Sequence, residues 1–149
     1  MSASLTWSHS VENLDWNELA ALYRAAPLGN KLPAALQVAF GNSMFKCFVR
    51  EGGALVGVGR ALADGTDCSY ICDVAVLPSH QGTGLGKEIV ARLVALSAGH
   101  KKIILYAVPG KDPSTGSSAF GACARRWRSS RIRPWPPSEA TSMNPENEQ

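Results

Sequence analysis

Between Asp73 and Lys87 the chain reads Asp-Val-Ala-Val-Leu-Pro-Ser-His-Gln-Gly-Thr-Gly-Leu-Gly-Lys. Few arrangements accept such a run. Val74, Val76 and Leu77 are strand formers, and Pro78-Ser79 ends the strand. Gly82, Gly84 and Gly86 then stand at alternate positions. From Lys87 the apolar residues Ile89, Leu93 and Leu96 recur at helical spacing, with Leu85 just before them. A loop without side chains that ends at a helix N-terminus aims several backbone N–H groups at one point, and the helix dipole adds partial positive charge there. The stretch predicts a buried strand, a turn and an anion site, with a phosphate as the usual occupant.

The kind of phosphate is narrowed by what the run lacks. A nucleotide P-loop needs Ser or Thr after Gly-Lys to hold magnesium, and here Glu88 follows Lys87. A dinucleotide fingerprint needs G-x-G-x-x-G, and the spacing is G-x-G-x-G. The string Gln81-Gly82-Thr83-Gly84-Leu85-Gly86, directly after a Val-x-Val-Leu-Pro strand, resembles the acetyl-CoA signature of the GNAT N-acetyltransferases, Gln/Arg-x-x-Gly-x-Gly/Ala. A glycine-rich turn with no ligand is the bland alternative. The strand before it and the amphipathic helix after it weigh against that.

The length of 149 residues suits one small domain with a core of its own. A net charge of +3 does not argue for nucleic acid. No apolar run is long enough to span a bilayer, and the N-terminus does not read as a signal peptide. Cys47, Cys68, Cys72 and Cys123 form no C-x-x-C pair. On one strand Cys68 and Cys72 would stand about 13 Å apart. They read as reduced thiols of a cytoplasmic protein, the first three packed in strands. The three histidines are scattered far from the cysteines, so no metal site is expected.

Taken in order, residues 5–9 predict a first strand. Asp15-x-x-Glu18 resembles a capping box, and Trp16, Leu19, Ala20 and Tyr23 supply the apolar face of a first helix. Pro33 suits the first turn of a second helix, with Leu32, Leu36 and Phe40 along one side, and Gly41-Asn42 ends it. Residues 45–50 and 55–63 predict two strands joined across Glu51-Gly52-Gly53-Ala54, a hairpin signal. After the turn Asp64–Asp67, a long central strand covers residues 68–77. Beyond the glycine loop and its helix, residues 102–108 predict another strand.

This order resembles the GNAT fold over roughly the first 110 residues: an α/β (α+β) protein with a mixed central sheet flanked by helices. More weakly, the early helices and the Asp-Val-Ala-Val-x-Pro segment look like the small arylalkylamine-type or generic bacterial members. The resemblance implies acetyl-CoA as co-substrate and an amine as acceptor. It places the pantetheine arm on Val74, Ala75 and Val76, with the Val76 N–H as oxyanion donor. It places the pyrophosphate on Gln81, Gly82, Thr83, Gly84, Leu85, Gly86 and Lys87. The chemistry needs a base for the ammonium proton. Asp73 is the candidate, directly or through water; its alternative role is a strand-end hydrogen bond. His80 is expected to face solvent. Lys87 is either a phosphate contact or a solvated lysine at a helix start.

After Lys111 the character changes. Residues 112–149 have no apolar periodicity, are rich in Ser and Pro, and carry Arg125-Arg126-Trp127-Arg128 followed by Arg131 and Arg133. The family carries here a helix that begins with a run like Phe-Tyr-Arg-Lys-Leu-Gly-Phe, then two strands. Reading the last base of each codon with the first two of the next, residues 113–120 permit that run in register. A frameshift near Asp112–Pro113 is therefore expected, leaving a truncated acetyltransferase domain at 1–111 and an irregular tail at 112–149. A natural basic arm that touches nucleic acid or an acidic surface is the alternative. The family's thiolate acid is the tyrosine of that lost run, and Tyr106 does not stand in its place. Without the last helix and two strands the acceptor pocket loses a wall and the sheet an edge cover, so poor turnover and self-association through the open edge are expected. The second functional reading is a non-catalytic acyl-CoA-binding or interaction module with a basic tail.

Overall fold

The computed structural model describes residues 4–105. Five strands form one sheet in sequence order: β1 (Leu5–Ser8), β2 (Phe45–Glu51), β3 (Ala54–Ala63), β4 (Cys68–Val76) and β5 (Lys102–Leu105). Neighbours among the first four are antiparallel, whereas β4 and β5 are parallel. A parallel pair needs a crossover, and α3 (Leu85–Leu96) supplies it. Helices α1 (Trp16–Ala25) and α2 (Pro33–Gly41) lie between β1 and β2 in the chain. None of the helices among the described residues is long and apolar enough to cross a membrane.

The core is two layers on one sheet. Leu19, Leu22 and Tyr23 of α1 and Leu36 and Phe40 of α2 pack on Phe48, Val58 and Ala75. On the opposite face Leu85, Ile89 and Leu93 of α3 pack on Val49, Ala61, Ile71 and Val76. Cys47, Cys68 and Cys72 are free thiols in β2 and β4, as the strand reading expects.

Local chemistry explains the element ends. Asp15 caps α1, accepting from the amides of Asn17 at 2.8 Å and Glu18 at 3.3 Å. Glu18 does not complete the capping box. It accepts from the Leu55 amide at 2.8 Å and pairs with Arg50 at 3.0 Å, tying α1 to the β2–β3 hairpin. The hairpin turns through Gly52 (φ 56°) and Gly53 (φ 86°), and two positive φ values in succession suit the right-handed twist of the strands.

Several boundaries move from their expected places. The first strand stops at Ser8 and the central one at Val76. Leu32 is 72% exposed, because it is the N-cap of α2 and not part of its buried stripe. Leu96 is 40% exposed, while Val90 takes a buried place. Helix α3 starts at Leu85, two residues before Lys87. Of the strand expected over 102–108, residues 102–105 are described; Tyr106, Cys123 and the tail at 112–149 lie outside the described residues.

The β3–β4 turn carries a pH dependence. The Asp64 carboxylate accepts from the amides of Thr66 (2.9 Å), Asp67 (2.7 Å) and Cys68 (3.1 Å). These bonds, Thr66 first, hold its pKa down to about 2. An unfolded aspartate titrates near ~3.9, so the contribution is present above that pH and is lost as pH falls towards the folded value. The difference in melting temperature between wild type and Asp64→Asn is expected to shrink as pH falls from about 5 to about 2. A difference constant across that range would contradict this.

Candidate functional site

The C-terminal half of β4 is irregular. Arg60 pairs with Cys72 and Val58 with Ala75, so two residues of β4, Asp73 and Val74, stand opposite Gly59 alone. This is a β-bulge. Asp73 takes the left-handed backbone (φ 52°). The extra residue resets the alternation of side chains: Ile71 and Val76, five apart, both face α3, and Ala75 faces α1 and α2.

The bulge is held from three sides. Tyr23, fully buried, donates its hydroxyl to the Asp73 carbonyl at 2.8 Å. Arg60 donates from Nε (2.8 Å) and Nη2 (2.7 Å) to Oδ2 of Asp73. Lys31 Nζ lies 3.5 Å from Oδ1. Burial first, then the Asp73 carboxylate, push the Tyr23 pKa well above its usual range, so the phenol stays a neutral donor. Burial likewise raises the neighbouring Cys72 thiol, which argues against a thiolate nucleophile there.

Beyond the bulge the strand amides are oriented. Leu77 donates its N–H to Val56 O at 2.9 Å, towards β3. Amides alternate sides along an extended chain, so those of Val76 and Val74 face away from β3. They lie past Ile71↔Leu105, the last described β4–β5 pair.

A 3-10 turn at Pro78–His80 then leads to Gln81–Gly84 and the start of α3. Gln81 is not simply loop: its Nε2 donates to Val76 O at 3.0 Å and closes the end of the strand. Thr83 Oγ1 donates to His80 O at 2.5 Å. Gly82 (φ 78°) and Gly84 (φ 89°) are left-handed, and a Cβ at either would project into open space. Gly84 is the N-cap of α3 and brings no side-chain acceptor to the first-turn amides. An open cradle, a helix N-terminus and no capping side chain fit a phosphate group. Leu85 and Gly86 lie in the first helical turn, Leu85 buried and Gly86 3.6 Å from Val76 by its would-be Cβ. Lys87 is half-buried in that turn.

His80 is not solvated as expected. Its Nε2 lies 2.7 Å from Glu51 Oε2 and its Nδ1 2.8 Å from Ser79 Oγ, which ties the turn to the end of β2.

The approach of α3 is set by two glycines that sequence reasoning passed over. A Cβ on Gly57 would come 2.8 Å from Ile89 Cδ1, and one on Gly59 would come 2.7 Å from Ile89 Cγ2 and 2.9 Å from Leu93 Cδ1. The legible signal was Gly-Val-Gly inside a strand, where glycine marks close approach. Arg60, Tyr23 and Lys31 were also missed; a lone arginine in an apolar strand asks for a buried partner.

One groove of about 370 Å³ lies elsewhere, between the β1 end and the start of α1, lined by Glu12, Asp15, Glu18 and Arg50. Its carboxylates would repel a phosphate. Among the described residues no group of three His, Cys, Asp or Glu side chains could hold a metal ion.

Residues 9–116 match the model of the acetyltransferase (GNAT) family. This chain belongs to that family. Over 106 residues it is 30% identical to an uncharacterized ycf52-like N-acetyltransferase of Prochlorococcus marinus, covering 67% of this chain and 59% of that protein. Over 61 residues it is 44% identical to the chloroplastic serotonin N-acetyltransferase 2 of Oryza sativa, covering 40% of this chain and 30% of that one. The chain thus spans less than two thirds of the length of these relatives. Among solved structures, a GNAT family acetyltransferase of Streptococcus pneumoniae superposes with a TM-score of 0.62 at 23% identity, covering 72% of this chain and 79% of its own. An aminoglycoside N-acetyltransferase solved in complex with CoA gives a TM-score of 0.56 at 14% identity, covering 73% and 80%. Both share the fold, a mixed sheet with helices on each face.

Proposed function

We propose that this chain is an N-acetyltransferase that takes acetyl from acetyl-CoA and passes it to an amine. The observation that carries the reading is the bulged strand end set beside an uncapped helix N-terminus: Val74 and Val76 amides turned away from β3, next to a glycine cradle at Gln81–Gly84. In this reading Val74, Ala75 and Val76 line the pantetheine arm, and Gln81 to Lys87 surround the pyrophosphate. Acetyl-CoA supplies an activated thioester carbonyl. The Val76 N–H stabilises negative charge on its oxygen as the amine attacks. Serotonin and aminoglycosides, named for two relatives, are amine acceptors, which supports the acceptor class.

Asp73 is the expected proton acceptor, but both of its oxygens already face cations. A base role there requires a bridging water and competes with the holding role developed below. The tail at 112–149 lacks the family's Phe-Tyr-Arg-x-Leu-Gly run, so the thiolate acid is missing and turnover is expected to be poor. That absence also supports the second reading, a module that binds acyl-CoA without turning it over. Self-association through the β5 edge belongs to either reading.

Calorimetric titration with acetyl-CoA tests the donor site. Saturable binding with a Kd of about 1 μM to 100 μM, some 5.5–8 kcal/mol, is expected. Absence of any heat in a folded, mass-verified sample would sink the reading.

A further inference from the structure

The left-handed backbone at Asp73 is unfavourable for any residue with a Cβ, though least so for Asp and Asn. A strand holds such a residue only when its surroundings over-determine it. Here they do. Tyr23 fixes the carbonyl, Arg60 fixes one carboxylate oxygen with two bonds, and Lys31 faces the other. Arg60 is itself anchored: its Nη1 donates to Ser43 Oγ at 3.1 Å, its guanidinium lies 5.8 Å from the centroid of the Phe40 ring, and its side chain is 15% exposed. The contacts on Asp73 come from α1, the α1–α2 loop and β3, and Phe40 of α2 and Ser43 just beyond it brace Arg60. Gly59, opposite the bulge, contributes no side chain to the pairing.

We propose that Arg60 and Tyr23 are positioning residues for acetyl transfer: they clamp Asp73 in its left-handed conformation, and the clamped bulge turns the Val74 and Val76 amides towards the acyl donor. Asp73 is then the clamped residue and not the base. The proposal rests on the donor site described above and deepens it. A carboxylate bonded to a guanidinium at 2.7 Å and 2.8 Å has both lone pairs of one oxygen in use, and its other oxygen faces an ammonium at 3.5 Å. A substrate proton taken on that second oxygen would displace the Lys31 contact.

The test separates the bulge from the loop by using two ligands. Acetyl-CoA needs both; ADP, with its pyrophosphate and no pantetheine arm, needs the loop alone. Calorimetric Kd values are measured for the full chain and for Arg60→Met, Tyr23→Phe and Asp73→Asn. Weakening, short of full loss, of two ordinary amide hydrogen bonds corresponds to about tenfold in affinity. Arg60→Met is expected to weaken acetyl-CoA by about tenfold and Tyr23→Phe by about threefold, with ADP changed less than about twofold in both. Asn tolerates the left-handed region and its amide oxygen still accepts from Arg60. With the amide nitrogen then set opposite Lys31, Asp73→Asn should weaken acetyl-CoA less than Arg60→Met does. With an acceptor in hand, the same variant keeps the wild-type pH profile of kcat, whereas loss of a base would abolish its acidic limb.

Unchanged acetyl-CoA binding in Arg60→Met overturns the clamp. Equal loss of both ligands in the Arg60 and Tyr23 variants overturns it as well, since those residues would then support the fold at large. Loss of the acidic limb in Asp73→Asn with normal acetyl-CoA binding returns the base role to Asp73. Wild-type protein that binds neither ligand removes the donor-site reading first, and the clamp with it.

Discussion

Gly84→Asp is expected to reduce acetyl-CoA affinity more than 100-fold, to the limit of calorimetric detection. Gly84 sits at φ 89° as the N-cap of α3, with open space where a Cβ would go. A side chain at this N-cap has open space around it, next in the chain to the first-turn amides. Its carboxylate would occupy the anion position and face the pyrophosphate. Two like charges about 4 Å apart repel by about 4 kcal/mol at an effective dielectric constant near 20, and about 2.7 kcal/mol already amounts to 100-fold. Gly84→Ala separates strain from charge. It keeps the backbone cost of about 1–2 kcal/mol and adds no charge, so a weaker but measurable titration should survive. Comparable binding by the Asp variant and wild type would mean that the phosphate lies elsewhere.

Gly59→Val is expected to cost about 3 kcal/mol or more of folding stability, at the upper end for overpacking a core. The Cβ alone would meet Ile89 Cγ2 at 2.7 Å and Leu93 Cδ1 at 2.9 Å, with Val74 Cγ2 at 3.3 Å. Ile89 and Leu93 are fully buried. Ile89 Cγ2 hangs from a branched carbon and moves only if the whole side chain turns or α3 lifts off the sheet. Gly57 gives the contrast. Its added Cβ meets the far end of Ile89, Cδ1 at 2.8 Å, and a terminal methyl can rotate away. Gly57→Ala should therefore cost only about 1 kcal/mol. Chemical denaturation of the two variants measures the order, and an equal or reversed order would refute this account of the packing. Where Gly59→Val still folds, lifting α3 also carries its N-terminus away from β4, so donor affinity should fall with stability.

The site was half legible before the fold was known. Gly82 and Gly84 declared themselves by spacing, because backbone freedom next to a helix start is written in residue types. The helix start was misplaced by two residues, since a glycine run reads as loop until Gly84 is seen to be the cap. Leu32 shows the same kind of error: four-residue spacing put it in the stripe, whereas a cap position left it in water. His80 looked solvated because its partner, Glu51, is 29 residues away in the chain.

What the sequence determined by itself was local: the hairpin at Gly52-Gly53, the Asp15 cap and the strand–loop–helix order. Each rests on residues within a few positions of one another, where periodicity and turn chemistry act. What only the tertiary structure decided was the bulge and its restraint. An aspartate in a strand reads the same with φ positive or negative. The choice is made by Tyr23 at a separation of 50 residues and Arg60 at 13, and by two glycines in β3 whose missing side chains let α3 come close enough to set its N-terminus beside the end of β4.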